Sequence, residues 1–234
     1  MAETPHTVRS FDQEISHLNQ TIARMGHLAL DQLSVALRAM EHGDVEGALE
    51  VVESDVHINS EEENINEQVV RLLALRQPVA DDLRLIISSL KVASALERVA
   101  DHAASAARCV KTVQHMERPP VLSAVLELGH VVHDVLKKAL EAFLAQDHQK
   151  AISVRANDQN VDDLHSSLFR SALANMTKEP HSIPASMHLL LTAKNLERIG
   201  DHATNLAEIT HFIITGKPVA DERPKGDRSS SISL

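Results

Sequence analysis

The chain has 234 residues, a formal net charge of −10 at pH 7, 15 histidines and a single cysteine. A chain of this length suits one large domain or two of ordinary size. Hydrophobic residues make up 43% of the chain, but aromatic residues make up only 2%. Because sheet proteins favour aromatic and β-branched residues and need many Gly/Pro turns, this composition predicts an all-α protein.

The charge and the cysteine content argue against several classes of protein. The sequence carries no basic stripe of the kind that contacts nucleic-acid phosphates, so we expect no nucleic-acid partner. The single Cys109 cannot form an intramolecular disulfide framework, which favours a reducing compartment. The first twelve residues do not resemble a signal peptide, and no run approaches the ~20 apolar residues of a membrane span. We therefore expect a soluble, cytoplasmic protein with no direct membrane insertion.

Apolar residues spaced three and four apart predict six long helices. The first three run over about residues 11–42, about 45–75 and from just after Pro78 to about 114, with Asp44 as a plausible N-cap of the second. Pro119-Pro120 is the clearest boundary in the chain. The other three helices follow over about 121–145, 149–176 and 185–215.

The helices group into two similar halves. Short connections make neighbouring helices antiparallel, so we expect a tandem repeat of two three-helix bundles. The first covers residues 10–116 and the second covers residues 120–216. Residues 217–234 are rich in proline, serine and charge, which predicts a disordered tail.

One octet occurs twice, one hundred residues apart. Residues 96–103 read LERVADHA and residues 196–203 read LERIGDHA, so six of the eight positions are identical. A repeat of this kind indicates a duplicated structural unit. Each copy carries two acids four residues apart, and residues at that spacing share one face of a helix. The two acid pairs are Glu97 with Asp101 and Glu197 with Asp201.

The position of these acids suggests a bound cation. The first pair continues an apolar stripe that begins with Leu83 and Leu90, at the edge of the face expected to be packed. Two like charges at this spacing cost about 0.2–0.5 kcal/mol in water, and more when they are partly buried. Intramolecular salt bridges from Arg98, Arg198 or Lys194 would offset that cost, and so would a metal ion. Surface salt bridges contribute little, so the presence of the acids in both copies favours the cation.

The middle helix of each half adds polar residues at the same spacing. Facing acids on two packed helices would form an oxygen-rich pocket that suits magnesium, manganese, calcium or iron. Helical spacing alone also produces solvated polar faces, so both interpretations stay open here. The residues are Asp55, Asn59 and Glu62 in the first half, and Asp158, Asp162 and His165 in the second.

The octets, the tandem layout and the segment RQPVADDLR at residues 76–84 together resemble the PhoU family over about residues 10–216. The resemblance implies two three-helix bundles with pseudo-twofold symmetry, a homodimer and no catalysis. It implies metal ions at both acid pairs, with iron, zinc, manganese or magnesium as the candidates. It also implies a cytoplasmic regulator, peripheral to the inner membrane, that contacts the phosphate transporter ATPase and the phosphate-sensing histidine kinase. Such a regulator represses the phosphate-starvation response when phosphate is plentiful.

The two copies differ beyond the octet. Asn205 and Glu208 would extend the acidic face of the second copy, where the first copy has Ser105 and Arg108. We therefore expect two related metal sites, of which the second is the stronger.

The segment at residues 76–84 allows two interpretations. Acids in the first turn of a helix are good capping chemistry, but capping does not explain the two arginines. Arg76, Asp82 and Arg84 could form a partner-binding surface or an inter-helix brace.

Two other functions remain as alternatives. A di-iron carboxylate oxidase of the ferritin-like class would use Glu-x-x-His pairs on bundle helices. A metal-free helical scaffold would need only the salt bridges. The Glu-x-x-His pairs in this chain are Glu14/His17, Glu127/His130 and Glu208/His211.

Overall fold

The computed structural model describes residues 5–219, and every regular element in that range is helical. The all-α prediction is confirmed, and the predicted tail lies outside the described residues from residue 220 onward. A single 3₁₀ turn, Pro180–Ser182, precedes the last helix. The α-helices are α1 (Pro5–His42), α2 (Val45–Arg76), α3 (Ala80–Val113), α4 (Val121–Leu144), α5 (His148–Ala156), α6 (Asp158–Lys178) and α7 (Ile183–Thr215).

Local chemistry explains where several helices begin and end. Helix α1 begins at Pro5, earlier than the sequence pattern indicates, and proline is well tolerated in the first turn of a helix. As predicted, the Asp44 carboxylate caps α2 by accepting a hydrogen bond from the backbone N–H of Gly47 at 3.1 Å. Gly216 ends α7 with a left-handed φ of 71°, and its N–H donates to the Phe212 carbonyl.

The prediction of one helix over residues 149–176 was wrong. The structure has two helices there, α5 and α6, with a break at Asn157. The Asn157 N–H donates to the Val154 carbonyl at 3.0 Å, and its side-chain amide donates to the Ser153 carbonyl at 2.8 Å. An asparagine that satisfies nearby carbonyls in this way competes with the helical hydrogen bonds, which is why the helix ends there.

The seven helices form two bundles that pack side by side. Helices α1, α2 and α3 pack on one another, as do α4, α7 and the α5–α6 pair. Helix α3 packs against α7, and α1 packs against α4. The buried apolar residues form one continuous cluster with members from both halves. The two halves therefore share a core.

A pair of glycine contacts shows the pseudo-twofold symmetry between the halves. A Cβ atom built on Gly26 would lie 2.5 Å from a methyl carbon of Leu140, and one built on Gly129 would overlap Leu37. Gly26 and Gly129 are 103 residues apart, and so are Leu37 and Leu140. The same glycine–leucine contact therefore occurs twice between α1 and α4, once from each half.

No helix within residues 5–219 combines the length and the apolar character that crossing a membrane requires.

Candidate functional site: two carboxylate patches

The octets lie on α3 and α7, which pack against each other where the halves meet. His102 and His202 face each other across this junction, with their rings stacked. The Nδ1 atom of His102 also lies 3.3 Å from the side-chain oxygen of Asn195. Through these contacts, His102 on α3 packs on α7, and His202 on α7 packs on α3. The acids are neighbours of α2 in the first half and of α6 in the second.

The first carboxylate patch consists of acids from two packed helices. Glu97 and Asp101 come from α3, and Asp55 and Glu62 come from α2. Burial raises the pKa of Glu97 most, and the charges of Asp101, Glu62 and Asp55 raise it further, while Arg98 lowers it. The four carboxylates therefore lie within electrostatic reach of one another.

Asp55 is an acid of this patch with an unsatisfied carboxylate oxygen. Its Oδ1 atom is buried and accepts no hydrogen bond from the part of the chain that the structure describes. Burial raises the pKa of Asp55, as does the charge of Asp101, while Arg108 lowers it. Arg98 is the cation partner of the two octet acids, at 3.6 Å from Glu97 and 3.7 Å from Asp101. Those distances are too long for good hydrogen bonds.

The second carboxylate patch is more deeply buried. We use this name for Glu197 and Asp201 on α7 together with Asp158 and Asp162 on α6. The two helices meet here because Gly200 lies close to Val161 and Thr204 bonds to Asp158. Glu197 is 5% exposed, and Asp158 and Asp162 are each 7% exposed. Gly200 allows α7 to pack closely against α6, because a Cβ atom at this position would lie only 3.1 Å from Val161. This close packing favours burial of the acids nearby. The first half has Ala100 at the position of Gly200.

A lysine neutralises the most buried acid of the second patch. Lys194 Nζ lies 2.9 Å from one carboxylate oxygen of Glu197 and 2.8 Å from the other. Burial raises the pKa of Glu197 despite this partner, and the charge of Asp201 adds to the rise. The nearby His165 acts in the opposite direction. Thr204 donates a hydrogen bond to Asp158 Oδ1 at 3.0 Å.

The ligand chemistry of both patches suits a hard metal ion. Carboxylate oxygens from two facing helices are the ligands that magnesium, manganese and iron accept. The side chains, however, adopt an ion-paired arrangement: within residues 5–219, no three His, Cys, Asp or Glu side chains converge on one point as a metal requires. An ion at the second patch would have to displace Lys194 from Glu197.

Several predicted ligands lie elsewhere. Asn59 is exposed, and Glu62 rather than Asn59 acts on Glu97 from α2. Asn205 is exposed and lines a cavity between α3 and α7. Glu208 forms an ion pair with Arg155 at 3.3 Å.

Two residues near the patches differ from the sequence-based expectation. Leu83 is 38% exposed, since it lies in the first turn of α3, so the apolar stripe before Glu97 is only partly packed. Thr204, the residue directly after the second octet, was not predicted as part of the site. Its pairing with Asp158 depends on how α6 and α7 pack, which helical spacing within α7 does not reveal.

The arginines of the segment at residues 76–84 have partners within the chain. Arg76 contacts Ser10 and pairs with Glu14 on α1, with Nε to Oε2 at 2.8 Å. Arg84 donates to the Ile213 carbonyl at 3.3 Å, which ties the start of α3 to the end of α7. Both arginines therefore brace helices against each other. Asp82 is exposed, and a partner-binding role for the segment stays a prediction.

The Glu-x-x-His pairs do not converge on a shared site. Glu14 is held by Arg76, while His17 lies 2.9 Å from Gln68. His211 lies 2.9 Å from His148, and Glu208 pairs with Arg155.

Comparisons with known proteins agree with this architecture. Residues 22–110 and 125–210 each match the family model described as the PhoU domain. Over 225 residues, the chain is 39% identical to the phosphate-specific transport system accessory protein PhoU homolog of Caulobacter vibrioides, covering 96% of this chain and 98% of that protein. The homolog of the same description from Rhizobium meliloti is 37% identical over 228 residues, covering 97% and 96%.

Solved structures show the same fold. The crystal structure of PhoU from Pseudomonas aeruginosa superposes with a TM-score of 0.86 at 35% identity, covering 88% of this chain and 100% of that one. The phosphate transport system regulatory protein PhoU from Streptococcus pneumoniae superposes with a TM-score of 0.83 at 31% identity, covering 89% and 99%.

Proposed function

Since this chain belongs to the PhoU family, we propose that it regulates phosphate uptake and represses the phosphate-starvation response when phosphate is plentiful. It acts without catalysis, by contact with the phosphate transporter ATPase and the phosphate-sensing histidine kinase. Its place is the cytoplasmic side of the inner membrane, where those partners hold it, and it works as a homodimer.

One observation carries this proposal. Both halves match the PhoU domain, and nearly the whole chain aligns with proteins named as accessory proteins of the phosphate-specific transport system. The similarity extends over both carboxylate patches and the contact between the octets.

The second part of the proposal is that the two carboxylate patches bind metal ions. Support comes from the raised pKa values of Asp55, Glu97 and Glu197, which show that burial leaves these carboxylates undercompensated. The unsatisfied Oδ1 atom of Asp55 adds to this support. A divalent or trivalent ion at such a patch stabilises the charged form of every carboxylate around it. Iron, zinc, manganese and magnesium are the candidate ions.

The regulatory role is tested by deleting the gene and following a reporter of phosphate-scavenging genes. In phosphate-rich medium, we expect the reporter to be repressed in the wild type and active in the deletion strain. Repression that continues without the gene would contradict the role. Affinity capture of the transporter ATPase and the sensor kinase by the full chain, with and without added metal, then tests the contacts.

Metal binding is tested by elemental analysis of protein purified without chelators. We expect the double substitution Glu97→Ala with Asp101→Ala to lower the metal content of the first half. Glu197→Ala with Asp201→Ala should do the same in the second half. A matched control is Glu53→Ala with Glu63→Ala, which removes two exposed acids from α2. Unchanged metal content in both patch variants would show that the assignment of the metal to the patches is wrong, and the absence of metal from the wild type would favour the metal-free scaffold.

A further inference from the structure

Two cavities flank the contact between the octets, one on each side of the α3–α7 junction. Their volumes are about 570 and about 400 Å³. Nine of the ten residues that line the smaller cavity lie one hundred residues from a lining residue of the larger. The two cavities are therefore the same place in the two halves, related by the pseudo-twofold symmetry.

Equivalent positions in the two cavities differ in charge. We call the smaller one the cationic cavity and the larger one the counterpart cavity. Arg108 in the cationic cavity occupies the position of Glu208 in the counterpart, and Lys194 occupies the position of Ser94. Arg198 corresponds to Arg98. The cationic cavity thus has three basic residues in its wall, and none of its lining residues within the described chain is acidic.

The local pairing of the octet arginines also differs. In the first octet, Arg98 lies near both acids of that octet, Glu97 and Asp101. In the second octet, Lys194 holds Glu197 from the preceding turn. Arg198 is exposed and contributes to the cavity wall. Arg108 is also exposed, and its charge reaches Asp55 across the first patch.

Neutral donors complete the wall. The Ser105 hydroxyl oxygen accepts a hydrogen bond from Arg108 at 3.2 Å, which leaves its own hydrogen for another acceptor. The side-chain oxygen of Asn195 is engaged by His102 at 3.3 Å, which turns its amide nitrogen away from that contact. Cys109 and Thr192 are buried behind them, and burial raises the pKa of the thiol, so the cysteine stays neutral.

We propose that the cationic cavity binds a small phosphate-bearing anion. Lys194 is already paired with Glu197, but the guanidinium groups of Arg108 and Arg198 lie in one concave wall that has no acid among its described lining residues. An anion in the cavity offsets the repulsion between these two guanidinium groups. Guanidinium groups bind phosphoryl oxygens through two parallel hydrogen bonds, and hydroxyl and amide donors suit the remaining oxygens. A single carboxylate offers too few oxygens to engage two guanidiniums and two neutral donors at once.

The ligand class is shared by free phosphates and by the phosphate chain of a nucleotide. The volume of about 400 Å³ accommodates either one. This inference does not depend on the proposed regulatory role, because it concerns binding by the purified chain. A chain that binds no anion could still repress the reporter, and a chain that binds one could fail to do so.

The test is isothermal titration calorimetry on the full chain with orthophosphate, pyrophosphate and ADP as probes, at constant ionic strength. We expect saturable binding with a dissociation constant below about 1 mM for pyrophosphate, and weaker binding of orthophosphate. If ADP binds no better than pyrophosphate, the ligand is a free inorganic phosphate. Tighter binding of ADP would identify a nucleotide.

Variants localise the site. Arg198→Ala should weaken pyrophosphate binding about tenfold or more, because it removes a charge-assisted pair of hydrogen bonds. Arg108→Glu should weaken it further, since it installs the acid that the counterpart cavity has. Both residues are exposed, so the helical circular dichroism signal should be unchanged. The matched control is Lys91→Ala in the counterpart cavity, which should change the affinity less than twofold.

Three results would overturn the proposal. The first is the absence of saturable binding for all three probes. The second is wild-type affinity in the folded Arg198→Ala and Arg108→Glu variants. The third is an equal loss of affinity in Lys91→Ala, which would show a general charge effect rather than a site.

Discussion

The imidazole rings of His102 and His202 stack at the junction of the two halves, with centroids 5.8 Å apart and planes inclined by 26°. The two residues occupy the same position in the two octets. Each ring lies next to an acid of its own octet and packs on the other octet. The repeated octet thus has two roles: its acids build the carboxylate patches, and its histidines join the halves.

This stacking predicts a dependence of stability on pH. Burial lowers the pKa of both histidines, and for His202 the charge of His102 lowers it further. The folded state therefore holds the rings neutral at a pH where the unfolded chain protonates them. The contribution is fully present above the unfolded pKa of about 6.5 and is lost as the pH falls below it. We expect the free energy of unfolding to fall more steeply from pH 7.5 to 5.5 in the wild type than in His102→Gln with His202→Gln.

Urea unfolding curves of the two proteins at several pH values measure this difference. Glu97 and Glu197 have raised pKa values and act in the opposite direction, but both proteins contain them. The wild-type minus variant difference therefore isolates the histidines. Identical pH profiles in the two proteins would contradict the prediction.

A second prediction concerns the loss of folding stability that the buried charges of the first carboxylate patch cause. Asp55→Asn keeps the side-chain shape but removes a charge whose pKa is raised by burial and by Asp101. We expect the chelator-treated variant to be more stable than wild type at pH 7.5, seen as a higher urea midpoint. The gain should shrink at lower pH, because protonation of Asp55 then removes the same charge. Glu53→Gln, an exposed acid of α2, is the control and should change the midpoint little.

A third prediction tests the close approach of α1 and α4. Gly129 packs against Leu37 so closely that even a Cβ would overlap the leucine side chain. Gly129→Val should lower the free energy of unfolding by about 2 kcal/mol, because the core must open to admit the larger side chain. Lys138→Val, on the exposed face of α4, is the control for valine in a helix. Adding Leu37→Ala to Gly129→Val should recover part of the loss, and failure to do so would place the strain elsewhere.

A fourth prediction concerns the brace between α1 and α2. The Arg76 guanidinium lies 2.8 Å from one carboxylate oxygen of Glu14 and 2.9 Å from the other. Hydrogen bonding to Arg76 lowers the pKa of Glu14. Arg76→Gln should raise the pKa of Glu14 in an NMR titration, while Arg71→Gln, which removes a weaker influence, should raise it less.

The ion pair between Arg76 and Glu14 also predicts how the stability of the fold changes at low pH. A carboxyl group with a lowered pKa stabilises the fold above its ordinary pKa of about 4.3, and that contribution is lost as the pH falls through the folded value. Arg76→Gln should therefore reduce stability at pH 7 and have little effect near pH 2. A destabilisation of the same size at both values would assign Arg76 a packing role instead.

Much of the molecule follows from local sequence patterns. Helical periodicity identifies the long helices, and the Asp44 cap and Gly216 termination are recognisable because the residues involved are neighbours in the chain. The i, i+4 spacing places Glu97 with Asp101 on one helix face for the same reason. The break between α5 and α6 was not predicted, because Asn157 is compatible with a helical pattern in the sequence. The break depends on the hydrogen bond from its side chain to the Ser153 carbonyl.

The sequence by itself determined the helices, the duplication and the acid pairs, since all of these depend on residues within a few turns of one another. Tertiary structure decided which partners those residues meet. Arg76 pairs with Glu14, which is 62 residues away in the sequence, and Arg84 donates to the Ile213 carbonyl, which is 129 residues away. The charge contrast between the two cavities likewise arises only when α3 packs against α7. Such contacts depend on how two helices are rotated and aligned against each other, and the spacing along either helix does not specify that alignment.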